Sequence, residues 1–138
     1  MIGLDTNVLV RYIVQDDKAQ AAAATTLIES RCTPEEPGLV ATAVLCELAW
    51  VLGRGYGYSR SQVAQVVRAI LTAEELAAEA PERAWRALRL FETGRADLAD
   101  CLIGAGNREL GAETTFTFDH AAAESDLFSL LAGDQTPG

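Results

Sequence analysis

An α/β fold built on a central, mostly parallel sheet is predicted by three observations. Short β-branched or apolar runs alternate with longer segments of helical periodicity along the chain. Parallel neighbours need crossover connections, and helices of that length supply them on both faces of a sheet. The length of 138 residues suits one domain with a core of its own, and 49% apolar with 22% charged residues excludes a disordered or fibrous chain.

The elements follow in order. Met1 to Leu4 predicts a very short opening strand, followed by the polar turn Asp5-Thr6-Asn7 and an apolar helix over Val8 to Val14. A second helix covers Lys18 to Cys32 about an alanine-rich middle, and Pro34 and Pro37 bracket the loop behind it. Gly38 to Ala41 is a second strand, after which Thr42 caps a strongly apolar helix ending near Gly53. Val63, Val66, Val67, Ile70 and Leu71 then recur at helical spacing, forming one face of an amphipathic helix that starts at Ser59. Leu76 to Glu79 is a short strand. Pro81 suits the first position of a helix that carries Trp85, Leu88 and Phe91 inward and stops at Gly94. Asp97 opens the next helix, which runs to Leu110 before Gly111, and Thr114 to Phe118 is a strand ending at Asp119. Residues 1–132 form the domain and 133–138 read as a frayed tail. Trp50 and Trp85 are expected in the core.

Charge and cysteine usage narrow the function. Twenty acidic against 11 basic residues give a net charge of −9, the wrong sign for holding nucleic acid by bulk electrostatics. Nucleic-acid binding therefore needs a local positive rim from Arg11, Lys18, Arg54, Arg60, Arg95 or Arg108, or a basic partner segment over the acidic surface. Cys32, Cys46 and Cys101 are odd in number and lack metal-site or redox spacing, so they read as reduced thiols of a cytoplasmic protein. The apolar run from Gly38 to Gly53 is short and broken by Glu47, which supports neither a membrane span nor a signal peptide.

Four acids stand out. Asp5 follows the first strand and Asp119 the last helix-to-sheet strand, so both project from the carboxyl edge where parallel sheets bind ligands. Glu47 is the only charged residue between Gly38 and Gly53, and a charge among so many apolar neighbours calls for a partner. Asp100 lies in the first turn of a helix whose Gly104, Ala105 and Gly106 permit close approach to neighbours. Converging carboxylates repel by up to ~4 kcal/mol per close pair at an effective dielectric near 20, and a divalent cation removes that penalty. An all-oxygen donor set without histidine or cysteine selects Mg²⁺ or Mn²⁺ over zinc, and such an ion suits phosphodiester hydrolysis.

These residues carry a resemblance. Asp5-Thr6-Asn7-Val8-Leu9, Glu47 within Val-Leu-Cys-Glu-Leu, Ala96-Asp97-Leu98-Ala99-Asp100-Cys101-Leu102-Ile103, and Thr117-Phe118-Asp119 resemble, in order, the four motifs of the PIN-domain nucleases, and more narrowly the VapC toxins of bacterial toxin-antitoxin pairs. The resemblance implies a PIN-like α/β/α sandwich and Mg²⁺- or Mn²⁺-dependent endoribonuclease activity. It also implies inhibition by a VapB-type antitoxin whose tail enters the acidic groove. Asp5, Glu47 and Asp100 match the family's metal-holding acids and Asp119 its more variable fourth acid. Thr6, Asn7, Asp97 and Thr117 fall in supporting positions. Phe128-Ser129-Leu130-Leu131 departs from the family's usual last strand, which leaves the path after Asp119 open.

Each acid also has a structural alternative. Asp5 can cap the helix behind it; Glu47 can be a core carboxylate paired with Arg11; Asp97 and Asp100 can form a capping box; Asp119 can be a turn residue. Gly53 to Arg60 interleaves glycine, arginine and tyrosine and serves either as a helix cap and linker or as an RNA-stacking strip. His120, the only histidine, is expected in an exposed loop. The rival function is a non-catalytic PIN-fold module that binds protein or RNA. A phosphate-accepting receiver domain is disfavoured because the only lysine is Lys18, and an aspartate-nucleophile phosphatase because Asp5-Thr6-Asn7-Val8 lacks its D-x-D-x-T. Apolar helix surface on so small a domain also permits a homodimer.

Overall fold

The computed structural model describes residues 1–132; the expected tail, residues 133–138, lies outside them. The observed class is the α/β class predicted, with all strand pairing parallel among the described residues. After an opening segment comes α1 (Thr6–Val14), then α2 (Lys18–Arg31), β1 (Gly38–Val40) and α3 (Thr42–Trp50), which continues into a π-helical turn (Val51–Gly55). Next are α4 (Arg60–Thr72), β2 (Leu76–Ala78), α5 (Pro81–Thr93), α6 (Leu98–Glu109), β3 (Thr115–Thr117), a 3₁₀ turn (Ala122–Glu124) and β4 (Phe128–Leu130).

Local chemistry sets most of these boundaries. The Asp5 and Asp17 side chains cap α1 and α2. Ser59 and Gln62 form a reciprocal capping box on α4, and Pro81 opens α5 while Gly94 closes it. The strands are only three residues long. Instead of one continuous ladder they form two parallel pairs, β1 with β2 and β3 with β4, and Gly3 makes a single parallel bridge to Leu39 beside the first pair. The path after Asp119 is settled by β4, which lies parallel to β3 with Thr115 opposite Phe128.

Two expectations are corrected. Thr42 does not cap α3: Ala41 holds that position, and Thr42, one residue inside, donates its backbone N–H to Glu79 Oε1 at 3.1 Å. Trp50 is not core but 63% exposed, whereas Trp85 packs half-buried against the core. The reason is helical phase. Leu45, Leu48 and Leu52 occupy the buried side of α3 and its π turn, which leaves Glu47, Trp50 and Arg54 on the opposite side.

The core joins Leu9 and Val10 of α1, Leu45, Leu48 and Leu52, Val67 of α4, and Leu88 of α5, each large side chain contributing about 1.5–3 kcal/mol. Close approach is built in at two glycines. A Cβ at Gly38 would stand 2.7 Å from Cys32 Sγ, and one at Gly104 would stand 2.5 Å from Phe128 Cε2. Gly104 thereby lets α6 lie against β4, and this fixes the start of α6 relative to the loop carrying Asp119.

Candidate active site

The opening segment turns at Asp5 into α1. Asp5 Oδ1 accepts from the Thr6 backbone N–H at 2.8 Å, so the expected capping role is real. The Thr6 hydroxyl, on a side chain only 6% exposed, donates to Glu47 Oε1 at 2.8 Å. That bond spans 41 residues and brings the first turn of α1 beside α3. Glu47 is exposed rather than buried, and its partner is Thr6 rather than Arg11. Arg11 instead binds Asp16, Gln20 and Tyr56.

Asp97 sits at the N-cap of α6 but makes no side-chain capping bond, so the alternative of an Asp97–Asp100 capping box is absent. Asp100, half-buried in the first turn, has its carboxyl pushed above the usual aspartate range, first by burial and then by the negative charges of Asp119 and Asp97. The Cys46 thiol of α3 is pushed up by burial, by Asp100 and by Glu47, which sets it between the α3 and α6 acids. Burial likewise pushes Cys101 up to about 11. All three cysteines are free thiols, as expected.

Asp119 follows β3 in a tight turn. Its Oδ1 accepts from the backbone N–H groups of Ala121 and Ala122 at 2.8 and 3.3 Å, and its own N–H donates to Thr117 Oγ1 at 3.0 Å. The turn role expected of Asp119 is therefore present, with Thr117 supporting it. Asn7 is exposed and lines a shallow cleft between α1 and α2, and His120 is exposed.

A common pattern runs through these acids. Asp5, Glu47 and Asp119 each use one carboxylate oxygen to fix their own position. The second oxygen of each, and both of Asp100, carry no hydrogen bond or ion pair among the described residues. The donor set is hard and anionic, which fits an oxygen-seeking divalent cation such as Mg²⁺ or Mn²⁺. Among the described residues, however, no three His, Cys, Asp or Glu side chains stand as a ready-made metal cage. Charge from Asp97 and Asp119 reaches Asp100, while Asp5 and Glu47 are joined through Thr6.

The expected basic rim is mostly spent on structure. The Arg60 guanidinium binds the carbonyls of Phe91, Gly94 and Ala96 and stacks on the Phe91 ring at 4.0 Å, which fastens the loop leading into Asp97. Arg95 pairs with Glu124, and Arg108 binds the carbonyls of Glu113 and Asp126. Only Lys18 and Arg54 of the six have no partner among the described residues. Sequence reasoning missed the pocket that Arg54 shares with Trp50 and Tyr58 beside Asp97. The signal was available in the i, i+3, i+7 spacing of Glu47, Trp50 and Arg54.

No helix among the described residues is long and apolar enough to cross a membrane. Comparison with family models matches residues 2–126 to one described as PIN domain. Comparison with curated proteins gave no match.

Proposed function

The chain belongs to the PIN domain family, generally metal-dependent nucleases, and from that premise we propose that it is an endoribonuclease of the VapC toxin type, with Asp5, Glu47, Asp100 and Asp119 as its catalytic acids. The observation that carries this reading is the division of labour within the carboxylates: one oxygen of Asp5, Glu47 and Asp119 holds position and the other is left for a ligand.

The four acids would hold Mg²⁺ or Mn²⁺, which when bound neutralises charge on a phosphodiester and acidifies water. The protein's own groups do the rest. Thr6 fixes the Glu47 carboxylate by donating its hydroxyl proton, and Thr117 and the Ala121 and Ala122 amides hold Asp119. Asp100, whose carboxyl is raised by burial and by the charges of Asp119 and Asp97, is an acid whose charge a bound cation would relieve. Arg60 anchors the 94–96 loop and so sets where α6 begins.

The net charge of −9 supports a basic antitoxin segment as the natural inhibitor, its arginine or lysine occupying the acidic groove in the cytoplasm. Binding of such a segment weakens with added salt, and salt-independent binding distant from Asp5 and Asp100 would remove this part of the reading. The dispersed acids favour one second reading, a non-catalytic binding module. Purified protein incubated with single-stranded RNA decides between them. Cleavage in Mg²⁺ or Mn²⁺ that stops in chelator supports the nuclease; RNA binding with no cleavage in either ion supports the module.

A further inference from the structure

The face of α3 that carries Glu47 continues into an open pocket of about 260 Å³, lined by Trp50, Gly53, Arg54, Tyr58, Phe91 and Asp97 among others. Trp50 lines it and is 63% exposed, so its indole offers a flat apolar face with a polar edge. Arg54 is exposed and has no partner among the described residues, while four other arginines of the expected rim are bound to carboxylates or carbonyls. The π-helical turn Val51–Gly55 widens the helix where Arg54 leaves it; such turns frequently mark functional sites. Gly53 keeps the pocket open, since a Cβ built there would meet no atom within 4 Å.

We propose that this pocket binds an unpaired nucleobase of the RNA strand, stacked on Trp50, with the adjoining phosphate at Arg54. The proposal rests on the ribonuclease reading and adds to it how single-stranded RNA is presented. A flat aromatic surface beside an unengaged guanidinium is the pairing that sequence-tolerant single-strand sites use. Asp97 lines the same pocket and begins the helix of Asp100, so a base seated here sets the neighbouring phosphodiester toward the acids. Trp50 follows Glu47 by three residues, about 4.5 Å along the helix axis. In a protein of net charge −9, a stacking surface supplies affinity that bulk electrostatics withholds. Within the same strip Tyr56 is engaged with Arg11 and Asp16, and Arg60, which also lines the pocket, is held by backbone carbonyls, so Arg54 is the arginine of the strip without a partner among the described residues.

The test is binding of a fluorescein-labelled single-stranded RNA 10-mer in chelator, read by anisotropy, alongside cleavage of the same oligonucleotide in Mn²⁺. Trp50→Ala is expected to weaken binding about 5- to 100-fold, the range found for loss of one stacked base. Gly53→Leu, which fills the pocket from a position with free space, is expected to do the same. Arg54→Ala is expected to flatten the salt dependence of binding. Thermal melts confirm that each variant is folded. If wild type cleaves the RNA and neither Trp50→Ala nor Gly53→Leu changes its affinity, the pocket is wrong and the nuclease reading stands. If wild type binds through Trp50 yet cleaves nothing, the pocket stands and the nuclease reading falls. Failure of wild type to bind the 10-mer overturns the pocket. So does a Trp50→Ala protein that changes from dimer to monomer with RNA affinity unchanged, because that face then belongs to a second copy of the chain.

Discussion

The Thr6 hydroxyl donates to Glu47 Oε1 at 2.8 Å, and this single bond joins the first turn of α1, beside Asp5, to the exposed side of α3. A short helix start and a helix in the middle of the chain are thereby held in register by a side chain that is itself 6% exposed. Thr6 positions Glu47, and its loss frees the carboxylate to rotate.

Thr6→Val keeps the shape and removes the hydroxyl. The expected stability loss is about 1 kcal/mol, that of one hydrogen bond. Cleavage is expected to fall ~10–100-fold, the usual effect of removing a group that orients a metal-holding acid. Glu47→Gln is expected to abolish cleavage with little loss of stability, because Glu47 is exposed. Asp97→Asn is expected to retain much of the activity, and its melting temperature should hardly move, since Asp97 makes no capping bond. Kinetics on a single-stranded RNA give the ranking, and Asp97→Asn falling below Glu47→Gln would reverse the assignment of the acids.

Helix boundaries were the legible part of the sequence because they rest on short-range chemistry. Ser59 at the start of α4, Pro81 at the start and Gly94 at the end of α5 each act on the turn beside them, and Val63, Val67 and Ile70 recur within two turns. The strands at Gly38, Leu76 and Thr115 were legible in position but not in pairing, the expected opening strand Met1 to Leu4 is reduced to the single bridge at Gly3, and β4 was not read at all, because three-residue strands make so few ladder bonds that tertiary packing selects the partners. Glu47 was found for the wrong reason. Its apolar neighbours suggested burial, whereas phase on the helix leaves it exposed with Trp50. Asp97 was expected to cap α6 on position alone, and only the side-chain rotamer decides whether an N-cap residue bonds. The Thr6–Glu47 bond had no signal in the sequence, since nothing local relates residues 41 apart.

Gly104→Ala tests how α6 is seated. The new methyl would stand 2.5 Å from Phe128 Cε2, 3.0 Å from Phe128 Cζ and 3.2 Å from Leu127 Cβ, all in a packed interior. The expected destabilisation is about 1–3 kcal/mol, typical of overpacking, measured by urea unfolding. Phe128→Leu in the same chain should recover part of it, because contacting residues couple. Full additivity of the two substitutions would show that the contact is not the source of the loss.

Asp119 separates a turn from a ligand by two substitutions. Asparagine retains an Oδ1 acceptor for the Ala121 and Ala122 amides, and alanine does not. Asp119→Asn is therefore expected to melt within about 0.5 kcal/mol of wild type, and Asp119→Ala to lose about 0.5–2 kcal/mol. Both should be impaired in cleavage. An Asp119→Asn protein that cleaves at the wild-type rate would confine this residue to the turn.

Asp100 tests whether the acids are gathered for function at a cost to the fold. Burial and the charges of Asp119 and Asp97 raise its folded carboxyl above the 3.8 of a free aspartate. Just above that pH the folded chain binds more protons than the unfolded one, so stability falls as pH rises through this window. The penalty is absent below 3.8 and complete above the folded value. Asp100→Asn removes it, and in chelator at neutral pH the variant is expected to be at least as stable as wild type, with the advantage vanishing in acid. Added Mn²⁺ is expected to raise the wild-type melting temperature by mass action, by about 2.7 kcal/mol of stability at a hundredfold excess over Kd, and to raise that of Asp100→Asn less. If Asp100 serves only the start of α6, its charge interacts favourably with the helix dipole, and the substitution costs about 0.3–1 kcal/mol with or without metal. Melts of both proteins at acid and neutral pH, in chelator and in Mn²⁺, distinguish the two. A metal-independent loss of stability at neutral pH would return Asp100 to the helix start and leave Asp5, Glu47 and Asp119 as the candidate acids.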